Sequence, residues 1–155
     1  MLEIEKAQGV CMYQKDGKSY IDMIAGIGVS SLGHCHPKIT DAAKNQLDHY
    51  MHLMVYGEFV QTPQVNFATA LSKTLPNSLD CSFLVNSGSE AVEGALKLAK
   101  RYTGRKEIIS CIDAYHGSTH GALSVGGDES LKTAYRPLLP NIQHVEFNNL
   151  SLIHI

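Results

Sequence analysis

Apolar and polar positions follow two spacings along this chain, and the switches between them outline its elements. In GVCMYQKDGKSYIDMI two β-rich segments flank Lys15, Asp16, Gly17 and Lys18. Asp-Gly between such runs is a hairpin signal, because a tight turn there needs positive φ. A Gly/Ser-rich connector, AGIGVSSLGHCHP, covers residues 25–37. Pro37 suits the first turn of a helix, where its missing N–H has no partner to lose. Ile39, Ala43, Leu47 and Met51 then recur at the fourfold spacing of one helix face. Thr62 and Pro63 read as an N-cap and first turn. Val65, Ala68, Leu71 and Leu75 form the next face before Pro76 and Asn77 stop it.

From residue 81 the pattern alternates between short apolar runs and helix. CSFLV, residues 81–85, reads as a strand. Residues 90–102 read as a helix with Val92, Ala95, Ala99 and Tyr102 on one side. Lys97, Lys100 and Arg101 sit near its negative end, and Gly104 follows as the cap. Residues 108–112 and 142–147 read as two more strands. Strands alternating with helices predict an α/β fold with a mainly parallel, doubly wound sheet. No internal repeat or low-complexity tract interrupts it.

Composition narrows the class without naming a function. With 155 residues the chain can hold one domain with a core, or part of something larger. It is 44% hydrophobic and 18% charged with a net charge of −2, the profile of a soluble globular protein. That balance gives no electrostatic footprint for nucleic acid. Neither an apolar run of membrane-spanning length nor a secretory leader is visible. Cys11, Cys35, Cys81 and Cys111 are widely spaced and read as reduced, mostly buried thiols of a cytoplasmic protein.

Candidate chemistry gathers where strands hand over to helices. In FLVNSGSEAVEGALKLAKRYTGR, Asn86, Ser87, Gly88 and Ser89 separate an apolar run from an amphipathic one. Ligands of open α/β sheets sit beyond the carboxyl ends of strands, and a helix starting there points free N–H groups and its positive dipole end outward. Gly88 allows close backbone approach, and Ser87 and Ser89 add hydroxyls, so the stretch suits a phosphate-sized anion. It equally suits a capping box, with Ser87 as N-cap and Glu90 three residues on; both can hold at once. Neither glycine-rich nucleotide fingerprint is present. Asp113, Ala114, Tyr115, His116 and Gly117 follow the next strand, at the same sheet edge. An aromatic ring beside an anion cradle suits a flat, aromatic, phosphorylated ligand, on which it can stack for about 0.5–1.5 kcal/mol. Alternatively, Tyr115 packs in the core with its hydroxyl satisfied.

YIDMIAGIGVSSLGHCHP, FLVNSGSEAVEGALKLAKRYTGR and DAYHGST stand in this order and spacing in a known family. The chain resembles class III pyridoxal-phosphate-dependent aminotransferases over residues 9–147, nearest to the acetylornithine/ornithine type. The resemblance implies fold type I, the aspartate aminotransferase-like architecture. Residues 1–36 would be a hairpin and connector contributed to a small domain, and residues 37–155 an incomplete large cofactor domain. It implies that Ser87, Gly88 and Ser89 hold the phosphate of pyridoxal 5′-phosphate, and that Tyr115 stacks on the pyridine ring with His116 beside it. Ile27 and Tyr56 would lie near the substrate. Ser89 stands where the family more often has Thr, with the hydroxyl kept. The implied reaction moves an amino group from an ω-amino donor to 2-oxoglutarate in a homodimer, so the partners are amino acids, 2-oxo acids and a second copy, with no nucleic acid and no membrane. The family's Schiff-base lysine and the aspartate facing the pyridine nitrogen match no position up to Ile155. The stretch is therefore expected to be an N-terminal portion, inactive alone.

Three other readings stand beside this one. His116 and His120, with His34, Cys35, His36, His49 and His52, suggest a zinc hydrolase, although Gly117 stands where H-E-x-x-H needs its glutamate. A Rossmann-type nucleotide module would need a glycine fingerprint after a strand. A partner-completed or non-catalytic fragment would share the fold but not the activity.

Overall fold

A computed structural model describes residues 1–149 and 151. They fall in two compact units, Met1–Val60 and Gln61–Ile155.

The first unit is built on an antiparallel sheet of β1 (Ile4–Gln8), β2 (Cys11–Gln14) and β3 (Ser19–Ile21), in that order. Asp16 and Gly17 make the predicted hairpin. Gly17 takes φ 86°, its N–H reaches the Gln14 carbonyl at 3.0 Å, and Asp16 Oδ1 accepts from Lys18 N–H at 3.1 Å. The register runs from Cys11 opposite Ile21 to Tyr13 opposite Ser19. β1 adds a third strand that the hydrophobic pattern does not signal. Glu5 and Lys6 occupy two of its five positions, and only pairing with β2 makes it a strand. Gly9, between β1 and β2, exchanges backbone hydrogen bonds with His34 at 2.9 and 2.7 Å, which closes the connector back onto the sheet.

That connector holds α1 (Ala25–Gly28), a single turn in the left-handed region: Gly26 has φ 63°, ψ 33° and Ile27 φ 61°, ψ 54°. Asp22 fixes its entrance. One carboxylate oxygen accepts from the Ile24 and Ala25 N–H groups at 3.0 and 2.9 Å, and the other meets His34 Nε2 at 2.7 Å. α2 (Pro37–His49) starts on Pro37 as expected, and its Ile39 and Leu47 stay exposed.

The second unit opens with α3 (Thr62–Ser72). Gln61 is its N-cap and Thr62 already its first residue, so the helix starts one place earlier than the Thr62 cap read from sequence. The predicted strand at 81–85 does not form; the segment is irregular. A strand needs a ladder partner, and the strands of this unit, β4 (Ile108–Cys111) and β5 (Ile142–Val145), pair with each other. They run parallel, from Ile108 opposite Ile142 to Cys111 opposite Val145. Phe83 instead lies against α4 (Gly88–Thr103), where a Cβ on Gly94 would meet its ring at 3.5 Å. α4 starts two residues before the predicted Glu90 and ends at Gly104, which takes φ 68° as its cap.

The crossover between β4 and β5 contains α5 (His120–Val125), too short to give a periodic signal. The buried apolar side chains among the described residues, Ala122 and Val125, both belong to it. Ser124 Oγ takes a hydrogen bond from Leu139 N–H at 3.0 Å. Lys132 Nζ and His144 Nε2 both donate to the Gly126 carbonyl at 2.8 Å, at the negative end of the helix. Lys132 is buried, and Glu129 at 2.9 Å supplies its counter-charge.

Candidate active site

The start of α4 satisfies the capping box and leaves donors over. Ser87 has extended dihedrals (φ −152°, ψ 161°), and its Oγ accepts from Glu90 N–H at 3.2 Å. Glu90 returns the bond to Asn86 N–H at 2.7 Å, one residue before the cap itself. The N–H groups of Gly88 and Ser89 and the Ser89 hydroxyl have no hydrogen-bond partner among the described residues. A Cβ on Gly88 would meet nothing within 4 Å, so the space above this turn is open. Two free N–H groups, two hydroxyls and the positive end of a sixteen-residue helix together suit an anion.

The loop after β4 meets this turn. Asp113 at φ 62° and Gly117 at φ 125° bend the chain back. A Cβ on Gly117 would fall 2.7 Å from the Ser89 Cβ, so only glycine permits this approach. Tyr115 is 71% exposed, which sets aside the core reading. Its hydroxyl lies 3.3 Å from Ser118 Oγ, and with Ser118, Leu123, Leu131 and Tyr135 it lines a cleft of about 420 Å³. Gly88 does not line that cleft. His116 turns the other way. Its Nε2 sits 3.2 Å from the hydroxyl of Ser110, a buried residue of β4, so the histidine ties the loop to the sheet.

Beneath Ser89, one helical turn on, Glu93 reaches the start of α5. Its Oε1 accepts from Gly121 N–H at 2.7 Å and Ala122 N–H at 3.1 Å. The Thr119 side chain most of all, with those two N–H groups and the Lys97 charge, holds the carboxyl below its usual range, against the opposing effect of burial. In sequence Glu93 is one of several charged positions on α4. Its only mark is the i, i+4 spacing from Ser89.

Ile27 and Tyr56 belong to the first unit, where both side chains are exposed, Ile27 at 90% on the left-handed turn. Among the described residues no group of three or more His, Cys, Asp or Glu side chains is gathered closely enough for a metal ion, so the zinc reading finds no donor set. No described helix is long and apolar enough to cross a membrane.

Comparison with known proteins shows the family. Residues 1–154 match the family described as aminotransferase class-III, and the chain belongs to that family of pyridoxal-phosphate-dependent transaminases. It is 37% identical over 152 residues to the acetylornithine aminotransferase of Bacillus cereus, covering 98% of this chain and 38% of that protein. It is 41% identical over 146 residues to the acetylornithine aminotransferase of Archaeoglobus fulgidus, covering 94% of this chain and again 38% of the relative. The chain thus spans about two fifths of the length of these relatives. The adenosylmethionine-8-amino-7-oxononanoate aminotransferase of Methanocaldococcus jannaschii superposes with a TM-score of 0.88 at 34% identity, over 94% of this chain and 34% of that one. The taurine:2-oxoglutarate aminotransferase of Bifidobacterium kashiwanohense, solved with pyridoxal phosphate and glutamate, gives 0.81 at 32%, over 94% and 33%. Fold type I is therefore the fold class of this α/β chain.

Proposed function

We propose that this chain forms the phosphate-and-ring half of a pyridoxal 5′-phosphate site, in an aminotransferase that transfers an amino group from an ω-amino donor of the acetylornithine/ornithine type to 2-oxoglutarate. The observation that carries this reading is the contact of Gly117 with Ser89, which joins an anion-ready helix start to an exposed aromatic loop. The Gly88 and Ser89 N–H groups and the Ser87 and Ser89 hydroxyls hold the phosphate. The Tyr115 ring covers one face of the pyridine, and His116 keeps the loop on β4 through Ser110. The cofactor, once bound, supplies the electron sink that lets an amino group pass between donor and 2-oxo acid. Ile27 and Tyr56 are substrate-side residues.

Residues 1–36 belong to the small domain and 37–155 to the large one. The active protein is a cytoplasmic homodimer. The donor preference rests on the two acetylornithine aminotransferases.

Ser89→Ala in the full-length protein tests the cradle. It removes one hydrogen bond to a charged group, worth about 1.5–3 kcal/mol, so the Kd for pyridoxal phosphate should rise by about one to two decades. An unchanged Kd would sink the assignment. An activity screen with acetylornithine, ornithine and 4-aminobutyrate against 2-oxoglutarate separates the donors.

A further inference from the structure

Glu93 joins two elements that sequence leaves apart. It lies on α4, four residues after Ser89, and hydrogen-bonds to the N–H groups of Gly121 and Ala122, 28 and 29 residues away. These are among the first N–H groups of α5, which a helix cannot satisfy internally. Thr119, the N-cap of α5, makes no side-chain capping bond. The cap comes instead from a carboxylate on a neighbouring helix. Close approach is required here as well, since a Cβ on Gly121 would fall 2.8 Å from the Glu93 carboxyl carbon.

The two contacts are in phase. Ser89 and Glu93 are four apart on one face of α4, and their partners Gly117 and Gly121 are also four apart. The upper contact sets the Tyr115 loop against the helix start, and the lower one holds the element into which that loop runs. With Glu93 removed, Gly121 and Ala122 lose their acceptor, and one of the two points that fix the loop is gone.

We propose that Glu93 is a positioning residue of the cofactor cradle, holding Tyr115 at a set distance from the Ser87–Gly88–Ser89 turn by capping α5 from α4. Its consequence for ligand binding rests on the pyridoxal phosphate reading above; the cap itself does not.

The test uses the full-length protein in wild-type, E93Q, E93A and S124A forms, with two readouts: the Kd for pyridoxal phosphate by absorbance titration, and amide exchange at Gly121 and Ala122. A carboxylate acceptor is stronger than a neutral one, so the effects are graded. E93Q should raise Kd and exchange several-fold, and E93A about tenfold or more. S124A removes the hydroxyl that serves the Leu139 N–H and the His120 carbonyl but leaves the Glu93 cap in place, and should lower Tm with Kd within about twofold of wild type. Should E93A fail to fold, the E93Q shift decides alone. Unchanged Kd in the Glu93 variant that folds overturns the positioning role, even if the amides deprotect. Unchanged exchange overturns the cap. Equal Kd losses in S124A and E93Q reduce Glu93 to general stability and overturn the proposal too. A wild type that binds no pyridoxal phosphate overturns the reading of the site, with exchange still deciding the cap.

Discussion

Gly117 approaches Ser89 so closely that the loop carrying Tyr115 and the first turn of α4 share one wall, with a would-be Cβ at 117 lying 3.0 Å from the Ser89 Cα. Any side chain at 117 must push one of the two away. It must also adopt φ 125°, a conformation that L-residues rarely take.

Gly117→Ala is therefore expected to destabilise the protein by about 1–3 kcal/mol from backbone strain alone. It should also weaken pyridoxal phosphate binding beyond what the stability loss explains, because the displaced wall is half of the proposed cradle. Thermal unfolding and a cofactor titration on the same preparation check both. A variant that loses stability but keeps its cofactor affinity would separate the fold from the site at this contact.

Tyr115 should behave in the opposite way. Its ring is exposed, and among the described residues its hydroxyl meets Ser118. Tyr115→Ala should leave stability within about 0.5 kcal/mol, as surface changes do. It should still raise the cofactor Kd by a few-fold to about tenfold, the range of an aromatic stacking contribution of about 0.5–1.5 kcal/mol. Tyr115→Phe keeps the ring and should match wild type. Equal affinities in the Ala and Phe variants would remove the ring from the site.

How much of this was legible in sequence depended on how local each cause was. The hairpin over residues 15–18 rests on Asp16 and Gly17, and the starts of α2 and α4 on Pro37, Ser87 and Glu90. Those signals act within a few residues, and the structure uses them. β1 was not legible, because Glu5 and Lys6 read as solvated surface until β2 pairs with them. α5 has only six residues and no period to detect. Residues 81–85 have strand composition but no partner, and composition cannot supply one. In the candidate site the serines, Gly88 and Tyr115 stood out as residue types after strands. The Glu93 cap did not, because a bond spanning 28 residues leaves no local trace.

Asp22 makes acid sensitivity testable. Its carboxyl is held below the usual 3.8, first by the Ala25 N–H and then by His34, with burial opposing. A carboxylate with a lowered folded-state pKa contributes stability that is complete above its ordinary value and is lost as pH falls through the folded one. Wild type should therefore exceed Asp22→Asn in urea midpoint at about pH 6, with the gap closing as pH drops below about 4. A gap that stays constant across that range would mean that the connector does not depend on the ionised form.

The last expectation concerns residues 1–155 as a polypeptide alone. Among the described residues only Ala122 and Val125 are buried apolar side chains, while Phe83, Leu98, Ile109 and Phe147 are all exposed. Fully burying a large apolar side chain stabilises by about 1.5–3 kcal/mol. Two small buried side chains make no continuous core. The backbone of residues 81–85 adds nothing, since no hydrogen bond joins it to another described residue. Burying it unpaired would cost about 1–3 kcal/mol per group. Calorimetry on residues 1–155 should accordingly give no sharp unfolding transition, whereas the full-length protein should give one. A single cooperative peak for the short polypeptide would show that these exposed faces find cover within it, and so would an experimental structure in which residues 81–85 pair with Ile108–Cys111.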